Sequence, residues 1–385
     1  MKNLVWFRND LRLHDNPALS QACAKADQVV GIYIVTFKQW EEHNDSPNKI
    51  AFWFRSLIEL QKDLHKLNIP LCILKCDTYD DCPQKIEEFA SANEINNLYF
   101  NIEYPVSELK RDEQVQAVLE KMGTSCFSFH DQVIHVPGSL KTKAGTNFSV
   151  YSPFKRCWLA ELDYALLEEH AIPTIKQPVS VNQQDEYDLH SYKQSNINQD
   201  LWPVGEESIQ KMIVNFLDRK GSDYKTDRNF PGLTATSMLS PYINSGVVSS
   251  KWCLNQARAR NYDALDEGDK GLVHWISEIL WREFYRHIIY NFPRVSMGKA
   301  FQEHFEQVPW ENNQDFIEAW KHGRTGIPIV DAGMRQMIET GWMHNRLRMI
   351  VAMFLSKNLM VDWHIGEAFF MQHLIDGDIA SNLSL

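Results

Sequence analysis

The stretch Lys2–Pro17, KNLVWFRNDLRLHDNP, decides the fold class. Leu4–Arg8 is short, apolar and rich in aromatic and branched residues, which reads as a buried strand. Asn16-Pro17 is a helix start, with asparagine as the cap and proline in the first helical position. The connection between them holds no glycine, and Gly31 is the single glycine in residues 1–120. A dinucleotide fingerprint needs glycines so that the backbone can approach a pyrophosphate, and a P-loop needs them for its nest of amides. Both are excluded. A ligand held here must be held by side chains of the loops.

The alternation continues outward from this stretch. Val29–Thr36, Leu71–Cys76, Asn97–Asn101 and Ser125–His130 have strand character, and Pro47–Leu67, Pro83–Asn93 and Val106–Met122 read as helices between them. The pattern predicts an α/β N-terminal domain over 1–137, a parallel sheet that is Rossmann-like without a Gly-rich loop. Residues 138–204 read as a connector, with Gln177–Gln199 too polar for an apolar period and expected to cross the surface. From 205 to 385 the period is helical almost throughout (206–220, 250–261, 269–292, 314–322, 329–340, 343–359 and 366–375), which predicts an all-α C-terminal domain.

The 385 residues are 44% hydrophobic and 23% charged, ordinary for a globular chain and unlike a disordered or coiled-coil one. The longest apolar runs, such as Val29–Val35, fall far short of the roughly 20 residues a bilayer requires, so no membrane association is expected. No apolar leader follows Met1, and a cytoplasmic location is expected. Seven cysteines without a secretion signal predict free thiols, and Cys72, Cys76 and Cys82 lack metal-ligand spacing, so no metal is expected. The net charge is −11, with 20 basic and 28 acidic residues up to residue 204 and 19 and 22 beyond it. Bulk attraction to a polyanion is excluded, and any such contact must be a local patch in the second half.

Four segments there could carry chemistry. On the helix 269–292, Leu272, Val273, Ile276, Ile279, Leu280, Phe284 and Ile288 form a broad apolar side. Glu278, Trp281, Arg282 and Tyr285 share the opposite one. The plain reading is an aromatic pair packed on a neighbouring helix. The sharper one is a ligand wall, with a π-face for a base and polar groups for its edges. On the helix beginning at His344, Asn345, Arg348 and Met349 share a stripe with Ala352, while Leu347, Ile350, Val351 and Phe354 take the apolar side. Arg346 and Arg348, two apart, must face different ways. The turn Thr234–Pro241 offers hydroxyls and amides to a phosphate, although helix capping explains it equally well. In His373–Asn382, Asp376 and Asp378 flank Gly377, with too few oxygen donors for a calcium loop. Asp376 pairing with Arg348 needs no metal.

Together, Leu4-Val5-Trp6-Phe7-Arg8-Asn9-Asp10-Leu11-Arg12-Leu13-His14-Asp15-Asn16, Trp281-Arg282-Glu283-Phe284-Tyr285-Arg286, Gly341-Trp342-Met343-His344-Asn345-Arg346-Leu347-Arg348-Met349 and Leu374-Ile375-Asp376-Gly377-Asp378 resemble the photolyase/cryptochrome family, and most nearly the bacterial class I cyclobutane-pyrimidine-dimer DNA photolyases. The resemblance runs from residue 3 to residue 382. It implies an antenna domain, a long interdomain loop, and a helical FAD domain whose reduced, anionic FAD donates a light-excited electron to a pyrimidine dimer flipped out of the DNA. By match of motif, Tyr224, Thr236, Ser237, Met238, Leu239 and Ser240 would hold the FAD phosphates, and Trp275 would lie near the cofactor. Arg348, Asp376, Gly377 and Asp378 would line the flavin, with Asn382 at its N5. Glu278 would hydrogen-bond the dimer and Trp281 would stack on it, with Tyr285, Asn345 and Met349 beside them. Arg228, Arg282 and Arg346 would touch DNA phosphates. Trp310 and Trp363 match two members of the tryptophan chain that photoreduces the flavin.

The resemblance also implies a second chromophore, a methenyltetrahydrofolate or a deazaflavin, for which His43 and Glu108 match the antenna site of the folate-binding relatives. Ser296 and Met297 stand where those relatives have a Cys-Lys pair, and Met238 stands where the family usually has a cation. The implied partners are double- and single-stranded DNA containing pyrimidine dimers, bound by a monomer. The alternatives are a cryptochrome-type blue-light photoreceptor and an inactive truncated remnant. Relatives continue after Asn382 with Asn-Gly-Gly-Trp-Gln-Trp, whereas Leu383-Ser384-Leu385 follow it here. The expectation is therefore weakened FAD retention and broken photoreduction.

Overall fold

The computed structural model describes residues 1–182 and 186–382, so Leu383-Ser384-Leu385 and part of the polar crossover lie outside the described residues. The first part runs β1 (Lys2–Phe7), α1 (Pro17–Lys25), β2 (Gln28–Thr36), α2 (Phe37–Glu42), α3 (Pro47–Lys66), β3 (Leu71–Cys76), α4 (Cys82–Ala92), β4 (Asn97–Asn101), α5 (Val106–Lys121) and β5 (Ser125–Phe129). The strands form one parallel sheet in the order β3-β2-β1-β4-β5. Strand order reverses between β1 and β4, which makes the loops at their carboxyl ends the natural place for a ligand crevice.

The loop after β1 shows what replaces glycine. Arg8 pairs with Asp112 at 3.1 Å. Asp10 accepts the Arg8 amide at 2.7 Å and the Asn101 amide group at 2.6 Å. Asn16 caps α1 by accepting from the Leu19 amide. Arg12, only 2% exposed, donates to the carbonyls of His14, Asp15 and Gly246 and to the Asp131 carboxylate. Gly246 has φ +68°, and a Cβ there would stand 2.1 Å from the Asn9 carbonyl oxygen, so only glycine permits this approach. Asp15 adds bonds to Ser249 and Lys251.

The connector is more ordered than its composition suggests. It contains α6 (Tyr151–Ala160), which buries Phe154 and Trp158, and its polar stretch ties back to the sheet domain, with the Lys176 and Gln177 amides donating to the Leu67 and Asp27 carbonyls. The rest is helical: α7 (Glu206–Lys220), α8 (Tyr224–Asp227), α9 (Ser240–Asn244), α10 (Ser250–Arg260), α11 (Lys270–Asn291), α12 (Gln314–Lys321), α13 (Pro328–Thr340), α14 (Asn345–Met353), α15 (Trp363–His373) and α16 (Ile379–Asn382). A π-turn, Phe354–Asn358, follows α14, where the periodicity predicts unbroken helix. Ile350 corrects another reading: it is 37% exposed, and Leu347 and Val351 fill the core instead. One apolar cluster runs from Val5, Phe52 and Trp53 through Tyr242 and Trp252 to Trp275 and Ile276, so the sheet domain and the helices share a core. Among the described residues no helix is long and apolar enough to cross a membrane, and no cluster of three His, Cys, Asp or Glu is placed to hold a metal.

Truncating Arg12 to alanine leaves Asp131 buried without its partner, which typically costs 3–5 kcal/mol, an order-of-magnitude figure. Urea unfolding of R12A should show a loss of about this size, with both halves melting in one transition.

Candidate functional site

α11 is the spine of the site. Asp269 caps it by accepting the Gly271 and Leu272 amides at 2.9 Å. Leu272, Ile276, Ile279, Leu280, Phe284 and Ile288 are buried as the periodicity requires. The helix also buries Glu283, Arg286 and His287, which a hydrophobic pattern cannot foresee. Glu283 accepts from the Ile134 and His135 amides and from the Trp158 indole, and burial pushes its carboxyl up to about 7.

Glu278, Trp281 and Tyr285 emerge on the remaining face. Glu278 accepts from Arg228, and burial raises its carboxyl above the usual range against the pull of that guanidinium. His274 lies 3.6 Å from Glu278, and its imidazole is pushed down to about 4 by burial, then by the charges of Arg228, Lys225, Arg346 and Lys155. A chain of net charge −11 thus gathers four cations near His274, two of which, Arg228 and Arg346, also act on the Glu278 carboxylate. Arg346 extends this rim, bonding the Asn229 side chain at 3.1 Å and touching the Met349 sulfur at 3.6 Å, with Asn345 exposed beside it. Trp281 stacks on Tyr151 of α6, with centroids 3.6 Å apart and planes at 12°, and packs against Tyr285 and Phe284. Arg282 does not join the rim. It turns inward to the Gln132 and Ile243 carbonyls, and burial beside Arg286 lowers its guanidinium to about 9.

A second group gathers around the segment before α16. Arg348 holds Asp376 through two bonds of 2.7 and 2.9 Å and donates to the Met343 carbonyl. Asp378 accepts from Arg286 at 2.8 Å and from the Ser381 hydroxyl and amide. Burial opposes its charge, but Arg286 and these donors win and hold it down at about 2. Gly377 leaves 3.2 Å between a notional Cβ and the Met371 sulfur, which itself accepts from the Asn382 amide.

The hydroxyl-rich turn completes the arrangement. Met238 takes a left-handed φ of 49°. Ser237 and Ser240 accept from the Trp275 and Trp342 indoles at 3.3 and 3.4 Å, so their own protons stay available as donors. Tyr224 and Leu239 are buried, and Thr236 is half-buried. Close by, His344 accepts the Arg346 amide at Nδ1, which places its proton on Nε2, and that buried donor has no partner. The Arg228 Nε is orphaned too. Orphaned donors beside a phosphate-ready turn fit a phosphate-bearing ligand.

Two cavities border these groups. One, of about 1030 Å³, is walled by Tyr151, Trp281, Tyr285, Trp310, Trp363 and Asn382 among others. The other, of about 280 Å³, opens at the β1/β4 switch point and brings together His43, Glu108 and Ser296. Glu108 accepts from the Tyr79 phenol at 3.4 Å, its second oxygen is buried without a partner, and burial raises its carboxyl. Met297 stays 63% exposed, away from this cleft. Sequence reasoning missed Tyr151, His274 and Asn229, and gave Arg286 no role. Only Arg286 carried a signal, as a second arginine one turn after Arg282.

The family described as DNA photolyase matches residues 3–177, and the FAD binding domain of DNA photolyase matches 275–384. A deoxyribodipyrimidine photo-lyase of Buchnera aphidicola (subspecies Acyrthosiphon pisum) is 39% identical over 386 residues, covering 99% of this chain and 79% of the relative. That of Escherichia coli K12 is 38% identical, covering 99% and 80%. A class III photolyase structure from Agrobacterium tumefaciens superimposes with a TM-score of 0.89 at 30% identity, covering 100% of this chain and 78% of that one.

The depressed Asp378 fixes a pH dependence. Its folded value lies below the ordinary 3.8, so the stability it contributes is present above that value and disappears as pH falls towards about 2. At roughly 1.4 kcal/mol per unit, Asp378→Asn should cost about 2 kcal/mol near neutrality. In denaturant titrations the gap between the native chain and D378N should close between about pH 4 and about pH 2.

Proposed function

The chain belongs to the DNA photolyase family, and from that premise we propose how its residues share the work of a light-driven lyase that splits cyclobutane pyrimidine dimers in DNA. FAD is its cofactor and, when bound and reduced, supplies the photoexcited electron that opens the cyclobutane ring. Ser237 and Ser240 donate to the FAD phosphates, flanked by Tyr224, Thr236 and Leu239. Met238 offers only its backbone there, so hydroxyls and the His344 donor carry the anion without a cation from this turn. The Arg348–Asp376 pair, Gly377, Asp378 and the Asn382 amide line the ring, and the Asp378–Arg286 pair keeps that wall charged yet neutral overall.

Trp281 supplies the stacking face for a flipped pyrimidine dimer, with Tyr285, Asn345 and Met349 around it. Extrusion is cheapest at a damaged pair, which already stacks poorly. Glu278, with its carboxyl raised towards protonation, donates to a dimer carbonyl, and Arg228 balances it when the site is empty of DNA. Arg228 and Arg346 take phosphates of double- or single-stranded DNA, while Arg282 acts from inside by positioning α11. Trp310 and Trp363, on the wall of the cavity that also holds Trp281, pass electrons inward. The cleft of His43 and Glu108 would hold a light-harvesting chromophore, with the unpartnered Glu108 carboxylate oxygen available to accept a hydrogen bond from it. The protein acts as a monomer.

The observation that carries this reading is the aromatic cavity walled by Trp281, Tyr285, Trp310 and Trp363, with Glu278, paired to Arg228, three residues before Trp281 on the same helix. With FAD supplied, an ultraviolet-treated oligonucleotide should lose its dimers under blue light and keep them in darkness. Persistence of dimers in both arms defeats the repair reading, in favour of a signalling flavoprotein if the chain retains FAD and of an inactive remnant if it does not. Removing the stacking face in W281A should weaken binding of dimer-containing DNA by about 5- to 150-fold, the equivalent of roughly 1–3 kcal/mol per stacked base, without changing flavin absorbance.

A further inference from the structure

The notable cysteines lie in the sheet domain. All seven cysteines are free. Cys76 ends β3 and Cys82 opens α4, and their sulfurs stand 3.6 Å apart as hydrogen-bond partners. Both thiols also point at one acceptor, the Thr78 carbonyl, at 3.4 and 3.7 Å. Cys82 is 1% exposed, whereas Cys76 is half-buried and within reach of solvent. The short turn between them is braced by Thr78 and Asp81, which bond each other's backbone and side chain. It carries Tyr79, whose ring lies edge-on to His43 and over the Arg111 guanidinium and whose phenol reaches Glu108.

We infer that Cys76 and Cys82 are a redox modification site, a dithiol that a peroxide converts to a disulfide closing the turn that carries Tyr79. The geometry is that of a pair needing only a small approach, since the bonded sulfurs of a disulfide lie about 2.05 Å apart. The chemistry balances. The hydrogen bond from Cys76, with help from Arg111, draws the Cys82 thiol below the usual range despite burial, and the same bond raises Cys76. Cys82 therefore gives its proton to solvent first and then takes the Cys76 proton across the S–H···S bond as Cys76 reacts. The Cys76 sulfur attacks one peroxide oxygen, the O–O bond breaks, and the departing hydroxide or alkoxide takes a proton from solvent and leaves as water or alcohol. Cys82 then attacks the sulfenic sulfur of Cys76, the S–O bond breaks, and a second water leaves with the Cys82 proton. Two electrons pass from the two thiols to the peroxide. The resolving role falls to Cys82, which is 1% exposed and stands 3.6 Å from the Cys76 sulfur, so it meets the sulfenic sulfur and not the peroxide in solvent. The product ties β3 to α4 across the wall of the switch-point cleft.

Trypsin cuts after Lys75 and Lys85, so both cysteines fall in one peptide, Cys76–Lys85. The folded protein is treated with hydrogen peroxide, quenched, alkylated under denaturing conditions and digested. The peptide should be recovered lighter by two hydrogens and without alkyl groups, and both groups should return after reduction. In C82S, Cys76 should be trapped as the sulfenic acid by dimedone, and in C76S the sheltered Cys82 should resist. Recovery of a doubly alkylated peptide from the peroxide-treated native chain, a sulfinic acid at Cys76 of that chain, or a C82S chain that folds yet yields no dimedone adduct would each overturn the inference.

Discussion

The buried guanidinium of Arg12 is the constraint on which the rest of the molecule depends. It leaves the first loop of the sheet and satisfies carbonyls on both sides of the junction between sheet and helices, with Asp131 balancing its charge. A buried ion is tolerated only with its hydrogen-bonding capacity met, so the loop, Gly246 and Asp131 must stay in register. That register sets where the carboxyl ends of β1 and β4 face the helices. It also sets where the cleft of His43 and Glu108 opens against Arg286 and Asp378. The position of the second cleft thus follows from how the first loop is pinned.

Charge is used in the same way around α11. Arg286, Asp378, Glu283 and Arg282 are all withdrawn from water, and each is matched by a carbonyl, an amide or an opposite charge. These internal pairs hold the helix against the segment 376–382 and leave Glu278 and Trp281 as its outward members. The cationic rim is built from residues scattered over the helical domain, Lys225, Arg228 and Arg346, with Lys155 from the connector. Only folding concentrates them, which reconciles an acidic chain with an affinity for a polyanion.

Much of this was legible in the sequence. Alternating strand and helix patterns marked all five strands to within two residues, because the inner strands of a parallel sheet covered on both faces write apolar runs and the exposed edge strand β5 keeps its aromatic residues. Helix starts such as Asn16-Pro17 and Asp269 were readable because caps are local chemistry. The Arg348–Asp376 pair was anticipated because an aspartate too poor in oxygen neighbours for a metal needs a cation, and the family resemblance names the same pair. The inward turn of Arg282 was not, because a helical wheel places a side chain on a face without saying which partner waits there. Tyr151 was hidden for a related reason. It lies in the stretch 138–204 read as a connector, and its value comes wholly from meeting Trp281, 130 residues later in the chain.

The shared apolar core has a consequence for the history of such a chain. Phe52 of the sheet domain packs edge-on to Tyr242 among the helices, and their cluster continues without interruption to Trp275. Two halves built this way cannot be traded between proteins as independent modules, because each would expose the surface the other covers. Recombination at the connector would scramble the mating surfaces, so the halves must have diversified in step, with changes on one side answered across the seam.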